Sequence, residues 1–250
     1  MTWTWILGAS SGIGNGIAHS LASEGYNVLL AARRKELLDK NAEKIQRKYN
    51  VEARSVKLDI LADEDDEDSL EHLFSMYKGD EPYAVINAVG AGQSPDTAFE
   101  DVSRGKLEFL VSLNLASDLR VKQEAKKMFG ERGGVQLSLG SHAATKYLPG
   151  QEVYGATKAG MERATRNVAY EHEGTDSYFF VVHPTHVDTD MVREEYASLT
   201  PLWDAAPTPR AFADTYITPI IRSPKEWEEE HGSVYLAQTV SESRIDELLS

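Results

Sequence analysis

A tyrosine and a lysine four residues apart are the side chains of this chain best suited to proton transfer. Tyr154 and Lys158 stand at the two ends of the segment YGATK, and in a helix residues at this spacing share one face. A free phenol, with a pKa of about 10, is a poor proton donor or acceptor at neutral pH. A neighbouring ammonium favours the phenolate and lowers that pKa, which would suit the phenol to general acid–base catalysis. Taken alone, the tyrosine could equally be a core residue of an amphipathic helix.

Two polar residues precede this pair and could complete a catalytic set. Ser141 follows the apolar run VQLSLG, and Asn114 lies earlier, within VSLNLAS. A serine hydroxyl can stabilise an oxygen on which negative charge develops. Each residue also has a structural interpretation, with Ser141 as a helix cap or loop residue and Asn114 as a kink within a helix. The order Asn, Ser, Tyr, Lys is therefore informative only together with the rest of the chain.

A second concentration of reactive side chains is the segment HPTHVDTD at residues 183–190. Histidine and aspartate are ligands that zinc or non-haem iron would use, so a metal site is one interpretation. An extended segment sends alternate side chains to opposite sides, so we expect residues 186, 188 and 190 to point away from the side that residues 187 and 189 face. The histidines would then be bystanders, and a metal needs at least three ligands that converge on one point. We therefore favour an interpretation without a metal. We expect His142, next to Ser141, to be an exposed loop residue, with contact to substrate as the alternative.

A glycine-rich turn, GASSGIGNG at residues 8–16, follows the first apolar run and leads into an amphipathic segment. Glycines allow the backbone to turn sharply and to approach a pyrophosphate, which a helix N-terminus then stabilises. The spacing is G-x-x-x-G-x-G from Gly8; the common G-x-G-x-x-G is not satisfied, because Ile17 stands where glycine or alanine is needed. No Lys-Ser or Lys-Thr follows the turn, which excludes a P-loop.

Two arginines stand at the end of the second apolar run, in LLAARRKE. A site for NAD(H) places an acidic residue at about this point, to accept hydrogen bonds from the ribose 2′-hydroxyl. Arg33 and Arg34 instead match a 2′-phosphate in charge and in hydrogen-bonding geometry. The arginines thus favour NADP(H), although they could also be solvated residues at the start of a helix.

The elements that must position these residues alternate between strand and helix. Short apolar runs indicate buried strands, and the segments between most of them have helical spacing. The runs lie at residues 3–8, 27–32, 53–58, 83–88, 135–140, 178–183 and 233–238. Strict alternation predicts an α/β fold: one Rossmann-like, doubly wound parallel sheet of about seven strands with helices on both faces.

The domain organisation is predicted to be simple. No linker divides the chain, so residues 1–250 are interpreted as one domain, with a substrate lid near 191–215. The acidic run at 63–68 is expected to precede a helix, where negative charge is favourable at the N-terminus. The apolar residues of the lid would be Tyr196, Leu199, Leu202, Trp203 and Phe212.

The turn from Gly8, followed by Asn114, Ser141, Tyr154 and Lys158 in that order, resembles the short-chain dehydrogenase/reductase family over roughly residues 3–190. The sequence departs from the family pattern at three places. Leu7 replaces a threonine before the turn, NAVG at 87–90 stands for Asn-Asn-Ala-Gly, and PTHVDT at 184–189 stands for Pro-Gly-x-Val-x-Thr. The second departure puts in doubt the hydrogen bonds that brace the fourth strand. The third places Thr185 at a glycine position, where a positive φ would strain a β-branched residue.

The resemblance implies an NADP(H)-dependent oxidoreductase that interconverts a carbonyl compound and its alcohol by hydride transfer. Tyr154 would be the general acid or base, and Ser141 would bind the substrate oxygen. Lys158 would also bind the nicotinamide ribose, and Asn114 would support a water relay. The cofactor-binding residues would be Gly8, Ser10, Ser11, Gly12, Ile13, Gly14, Arg33, Arg34, Asp59, Ile60, Asn87, Tyr154, Lys158, Val187 and Thr189. A homodimer or homotetramer would form through helices at 104–129 and 151–172.

Composition excludes several classes of function. The formal charge of −14 would repel nucleic acid and anionic lipid, so the expected partner is a small carbonyl or alcohol substrate. The absence of cysteine excludes disulfides, thiolate catalysis and iron–sulfur clusters. No long apolar run or signal-peptide pattern is present, so the expected location is the cytoplasm. Two alternatives are an NADP(H)-sensing regulator without catalysis and, disfavoured by the short C-terminal region, an epimerase or dehydratase.

Overall fold

Seven parallel strands form one sheet in the computed structural model, which describes residues 2–78, 81–94, 97–190, 193, 206–227 and 233–237. In chain order, β1 to β7 are Trp3–Leu7, Asn27–Ala32, Ala53–Lys57, Ala84–Asn87, Gly134–Leu139, Ser177–Pro184 and Ser233–Ala237. Their order across the sheet is β3-β2-β1-β4-β5-β6-β7, and every neighbouring pair is parallel. The predicted fold class and the approximate strand count are confirmed.

The central strands of the sheet are buried on both faces, because their successive side chains enter different cores. Ile6 of β1 packs into a core that also contains Ile17 and Leu21 from the first helix. Its neighbours Trp5 and Leu7 pack into the opposite core. Each of these side chains is at most 1% exposed, so both layers of helices are needed to exclude solvent from the central strands.

Helices follow the strands as the alternating pattern predicts. The longer ones are α1 (Gly12–Ser23), α2 (Lys35–Tyr49), α3 (Leu70–Met76), α4 (Arg104–Leu110), α5 (Ser117–Phe129) and α6 (Glu152–Glu171). Two short helices, α7 (Pro209–Phe212) and α8 (Thr218–Arg222), come late in the chain. Ser69 caps α3 by accepting a hydrogen bond from the His72 amide, so the acidic run ends directly before a helix, as predicted. None of the described helices combines the length and apolar character needed to cross a bilayer.

Between α4 and α5 the chain continues as a π-helical stretch, Val111–Ala116, which contains Asn114. The predicted helix over residues 104–129 is thus present, and its regular pattern is interrupted where that asparagine lies. Short π-helical stretches inside α-helices frequently occur at functional sites.

The strand order reverses between β1 and β4, which pair side by side although β2 and β3 separate them in sequence. In open parallel sheets, ligands bind outside the carboxyl ends of the strands at this reversal. Gly8 directly follows β1, and Ala88 directly follows β4. The fold therefore brings the predicted glycine turn to the expected crevice.

Candidate active site

A cavity of about 480 Å³ opens at the carboxyl ends of the strands. It joins residues that are far apart in sequence, including the glycine turn, the two arginines and the Tyr–Lys pair. Of the predicted site residues, those that line it are Gly8, Ser10, Ser11, Gly12, Ile13, Gly14, Arg33, Arg34, Asp59, Ile60, Ser141, Tyr154, Lys158, Val187 and Thr189. Asn87 and Asn114 are the two predicted site residues that do not line it.

The glycine turn is packed so closely that two of its positions admit no side chain. Gly8 has a φ of +84°, which L-residues with a side chain rarely adopt. A Cβ atom at Gly14 would lie 2.4 Å from the carbonyl oxygen of Gly8. The glycines thus let the turn pack tightly against its neighbours while it lines the cavity at the N-terminus of α1, where an anion is stabilised.

The two arginines stand at the cavity rim, at the start of α2, and both are exposed. Arg34 reaches back to the glycine turn, where its Nη2 atom donates to Ser10 Oγ at 2.8 Å and to Ser11 Oγ at 2.6 Å. This places a guanidinium group beside the turn itself. Arg33 and Arg34 supply positive charge to one end of an otherwise acidic protein.

Lys158 is buried beside Tyr154, one turn further along α6. Its Nζ atom lies 5.7 Å from the centroid of the tyrosine ring and donates a hydrogen bond of 2.8 Å to the carbonyl oxygen of Leu139, the last residue of β5. Burial lowers the pKa of Lys158 to about 8; the carboxylate of Asp118 opposes this shift and the charge of Lys122 adds to it. The group therefore remains an ammonium at neutral pH. The phenol is half-buried at the cavity.

Asn114 supports the site from behind the cavity lining. Its amide clamps Ala91, donating from Nδ2 to the carbonyl oxygen and accepting the N–H at Oδ1, both at 2.9 Å. Nδ2 also lies 3.4 Å from Thr157 Oγ1 of α6. A Cβ atom at Gly90 would be 3.3 Å from Asn114 Oδ1 and 3.6 Å from Lys158 Nζ. The asparagine is thus close to the catalytic candidates and fixes the loop that faces them.

Ser141 lines the cavity and is also a cap, so the structural interpretation from the sequence is confirmed, and its catalytic role stays a prediction. Its Oγ accepts a hydrogen bond of 3.2 Å from the Ala143 amide and begins a short 3₁₀ turn. His183 fixes its backbone, because His183 Nδ1 lies 3.0 Å from the Ser141 nitrogen and 2.8 Å from the Ser141 oxygen. A Cβ atom at Gly140 would lie 2.3 Å from that ring nitrogen, so the glycine makes room for the histidine.

The histidines of HPTHVDTD act as packing residues. His183 is 1% exposed, and burial lowers its pKa. The rings of His142 and His186 pack together with centroids 5.3 Å apart. Burial is the main cause that lowers the pKa of His186 to about 4, and the charge of His142 is the smaller cause. His142 is half-buried, so the prediction that it is exposed was wrong. Among the described residues, no group of three or more histidine, aspartate or glutamate side chains could hold a metal ion.

The alternation predicted for residues 186–190 holds only in part. Val187 and Thr189 line the cavity, while Asp188 pairs with Arg193. Asp190, which was expected to point away, also lines the cavity. Thr185 carries no strain, because within the described ranges Asn50 is the only residue other than glycine with a positive φ.

Asn87 lies beneath the cavity rather than in its lining. It is 1% exposed, accepts a hydrogen bond of 3.1 Å from the Val89 amide and donates one of 2.8 Å from Nδ2 to Asp118. The prediction that Asn87 belongs to the cofactor-binding surface is thus corrected to a supporting position. The departure from Asn-Asn-Ala-Gly still leaves the end of β4 braced, through Asn87.

Asp118 and Lys122 form a buried ion pair that was not predicted from the sequence. The two side chains are 0% and 2% exposed, and they meet across one turn of α5. Ser138 of β5 completes the cluster, donating to Asp118 at 2.6 Å and accepting from Lys122 Nζ at 2.8 Å. The i,i+4 spacing resembles an ordinary surface pair. The signal that could have identified it is its place beside Val121 and Ala125 on the buried stripe of the helix.

The predicted lid lies mostly outside the described residues. This applies to Tyr196, Leu199, Leu202 and Trp203. Phe212 is described, and it is fully buried in the core that contains α1 rather than in the cavity lining. Arg210 holds this part of the chain to α1 by donating to the carbonyl oxygen of His19 at 2.7 Å.

Comparisons with known proteins identify relatives of this chain. A sequence model of the family described as short chain dehydrogenase matches residues 2–199. The 3-oxoacyl-[acyl-carrier-protein] reductase FabG of Aquifex aeolicus is 28% identical over 205 residues, 79% of this chain and 81% of that protein. The very-long-chain 3-oxoacyl-CoA reductase of Podospora anserina is 29% identical over 77% of this chain, which spans only 57% of that protein's length.

Solved structures show the same fold. The short-chain dehydrogenase from Sphingobium yanoikuyae in complex with NADPH has a TM-score of 0.81 at 23% identity, covering 99% of this chain and 92% of that one. The L-sorbose reductase from Gluconobacter frateurii, complexed with NADPH and L-sorbose, has a TM-score of 0.82 at 20% identity, covering 94% of each chain. At these identities the likeness establishes the architecture alone.

Proposed function

Because the chain belongs to the short-chain dehydrogenase family, we propose that it is an NADP(H)-dependent oxidoreductase that interconverts a carbonyl compound and its alcohol. The observation that carries this proposal is the composition of one cavity. Ser141, Tyr154 and Lys158 line the same space as the glycine turn and the two arginines. A cavity that combines proton-transfer groups with a dinucleotide-type turn suits a reaction in which hydride and proton move together.

The residues present fit NADP(H). Neither Gly8 nor Gly14 has room for a side chain, which suits a tight turn that approaches a pyrophosphate, and α1 begins at this turn. Arg33 and Arg34 suit a 2′-phosphate, and Asp59 and Val187 line the remaining length of the cavity. When bound, the nicotinamide would supply hydride to a carbonyl carbon or accept it from an alcohol carbon.

The chain's own residues would bind the substrate oxygen and transfer its proton. In reduction, the Tyr154 hydroxyl would donate its proton to the carbonyl oxygen, and the phenolate left behind would be stabilised by the Lys158 ammonium. Ser141 would donate a hydrogen bond to the same oxygen as negative charge develops on it. Asn114 would hold the loop at Ala91 in place. In oxidation, the same groups would act in the opposite direction.

We propose a 3-oxoacyl thioester as the first substrate class to test. This proposal is supported by the relatives from Aquifex aeolicus and Podospora anserina, which are both named as 3-oxoacyl reductases. It narrows the broader expectation of a small carbonyl or alcohol substrate. The relative from Aquifex aeolicus weighs more, because this chain spans 81% of its length.

A turnover assay tests the proposed function directly. We expect the purified protein to oxidise NADPH in the presence of a short 3-oxoacyl thioester or a simple ketone. The reaction is measured as the loss of absorbance of the reduced nicotinamide. A carrier-bound and a coenzyme A-bound substrate would be compared in parallel. Binding of NADPH without turnover of any carbonyl would contradict the enzymatic proposal and favour an NADP(H)-sensing protein.

Removal of the two arginines is expected to abolish the preference for NADPH. The double variant Arg33→Ala/Arg34→Ala should raise the Kd for NADPH by about 10- to 100-fold, since hydrogen bonds to charged groups contribute roughly 1.5–3 kcal/mol. The Kd for NADH should change little, because NADH lacks the 2′-phosphate. Arg47→Ala, at an exposed position near the end of α2, is the matched control. Equal losses for both cofactors would contradict the assignment.

We also propose a homo-oligomer, a dimer or tetramer, that uses the helices at 104–129 and 151–172. The proposal is supported by large apolar side chains that remain exposed on the first of these segments: Leu107, Phe109, Val111 and Leu119. Exposed apolar groups that lie together on one segment favour burial against a partner.

A further inference from the structure

The helix that carries Tyr154 and Lys158 is capped by a residue from a distant loop. The residue at the N-cap of α6, Gln151, makes no side-chain capping bond. Instead, Oε1 of Gln93 accepts hydrogen bonds from the amides of Val153 at 3.1 Å and Tyr154 at 3.0 Å. These are the second and third residues of the helix, whose N–H groups an N-cap side chain usually satisfies.

The amide of Gln93 is held in one orientation by its other neighbours. The side chain is 2% exposed, and its Nε2 atom lies 3.4 Å from Oε2 of Glu152. A reversed amide would direct N–H groups at the two helix amides and an oxygen at a carboxylate, so the assignment is the chemically consistent one. The backbone is fixed too, because Gln151 Nε2 donates to the Gln93 carbonyl oxygen at 2.5 Å.

Gln93 also belongs to the loop that lines the cavity. Residues 88–91 of that loop face the cavity, and Asn114 clamps Ala91 two positions before Gln93. The loop is therefore attached to the helix at 111–116 on one side and to the first turn of α6 on the other. A displacement of this loop would be transmitted to the backbone amide of Tyr154.

We propose that Gln93 is a positioning residue for Tyr154, an inference that rests on the proposed function. By accepting the Tyr154 amide, it fixes the first turn of α6 against the loop that lines the cavity. Lys158 lies one turn further on and has its own anchor at the carbonyl oxygen of Leu139. Loss of Gln93 should therefore displace the phenol while leaving the lysine and the glycine turn in place.

The substitution Gln93→Leu tests this role, because leucine has similar size and no acceptor. We expect kcat to fall by about 10- to 100-fold, as for small misplacements of a reacting group. The Kd for NADPH and the KM for the carbonyl substrate should stay close to native. Gln46→Leu is the matched control, because it makes the same change at an exposed position of α2 and also removes a side-chain bond to backbone, from Nε2 to the carbonyl oxygen of Ala53 at 2.8 Å. Native kcat in Gln93→Leu, or a parallel loss of NADPH binding, would overturn the proposal.

An exchange of the two neighbouring functional groups provides a rescue. Gln93→Glu keeps an acceptor for the helix amides but places a second carboxylate against Glu152, so kcat should fall. Adding Glu152→Gln restores one amide and one carboxylate at the same place, and most of the native kcat should return. If the double variant did not recover kcat, the capping role would be overturned, because the double variant again has an acceptor at position 93 and a single carboxylate beside it.

Amide hydrogen exchange separates this inference from the proposed function. In Gln93→Leu, the amides of Val153 and Tyr154 should exchange faster than in the native protein, while amides in the middle of α6 keep their native rates. This measurement requires no substrate, so it tests the cap even if no carbonyl compound is reduced. Unchanged exchange at these two amides would overturn the proposal, whatever the activity of the protein.

Discussion

Replacement of Tyr154 by phenylalanine is expected to lower kcat for carbonyl reduction by about 10²- to 10⁴-fold, the usual contribution of a positioned general acid. The change removes only the hydroxyl group. The ring can keep its place beside Lys158, and the helix amides can keep their bonds to Gln93. The Kd for NADPH should therefore stay close to native. Steady-state assays of NADPH oxidation and a binding titration would measure the two quantities.

Tyr147 provides the control for this experiment. It lies in the loop before α6 and is fully exposed, so Tyr147→Phe makes the same chemical change outside the cavity. We expect that variant to keep native kcat. If Tyr154→Phe oxidised NADPH as fast as the native protein, the proton would have to come from another group and the mechanism would be wrong.

The second large effect concerns folding. Asp118→Ala is expected to lower the free energy of unfolding by about 3–5 kcal/mol, because it leaves the Lys122 ammonium buried without its partner. Both side chains are almost completely inaccessible, and Asp118 also accepts hydrogen bonds from Asn87 and Ser138. Equilibrium unfolding in urea, with native and variant proteins compared, would measure the loss.

Two controls distinguish an unpaired charge from a general loss of packing. The double variant Asp118→Leu/Lys122→Met removes both charges and should regain most of the lost stability, because apolar replacement of a buried ion pair is often neutral or favourable. Glu108→Ala breaks the exposed pair with Arg104 at the same i,i+4 spacing, and should cost only about 0.3–0.5 kcal/mol. A loss below about 1 kcal/mol in Asp118→Ala would show that water or another group compensates the lysine.

The sheet and the cavity lining could be predicted because their signals are local. A buried parallel strand is a short apolar run, and the run at residues 27–32 coincides with β2 in the structure. The turn from Gly8 is equally local, since its spacing is a requirement of backbone geometry. The proximity of Tyr154 and Lys158 could be predicted because residues four apart lie on one face of a helix. The fold then brings these separate segments to one edge of the sheet.

The supporting contacts could not be predicted in the same way. Gln93 meets Tyr154 across 61 positions of sequence, and nothing near either residue indicates the other. The solvent exposure of His142 depends on how closely His186 packs against it, which is a property of the tertiary structure. Asn87 was assigned to the cavity lining because the family motif does not specify which of its side chains lie below the surface.

The strand order has a consequence for synthesis of the protein on the ribosome. β1 emerges first and pairs with β2 on one side, but its partner on the other side is β4, at Ala84–Asn87. Until that later segment has left the exit tunnel, the strand that leads into the glycine turn has an unpaired hydrogen-bonding edge, a feature that favours association with other chains. The nascent chain can thus associate with other chains through this edge while its glycine turn already exists and the opposite wall of the crevice does not.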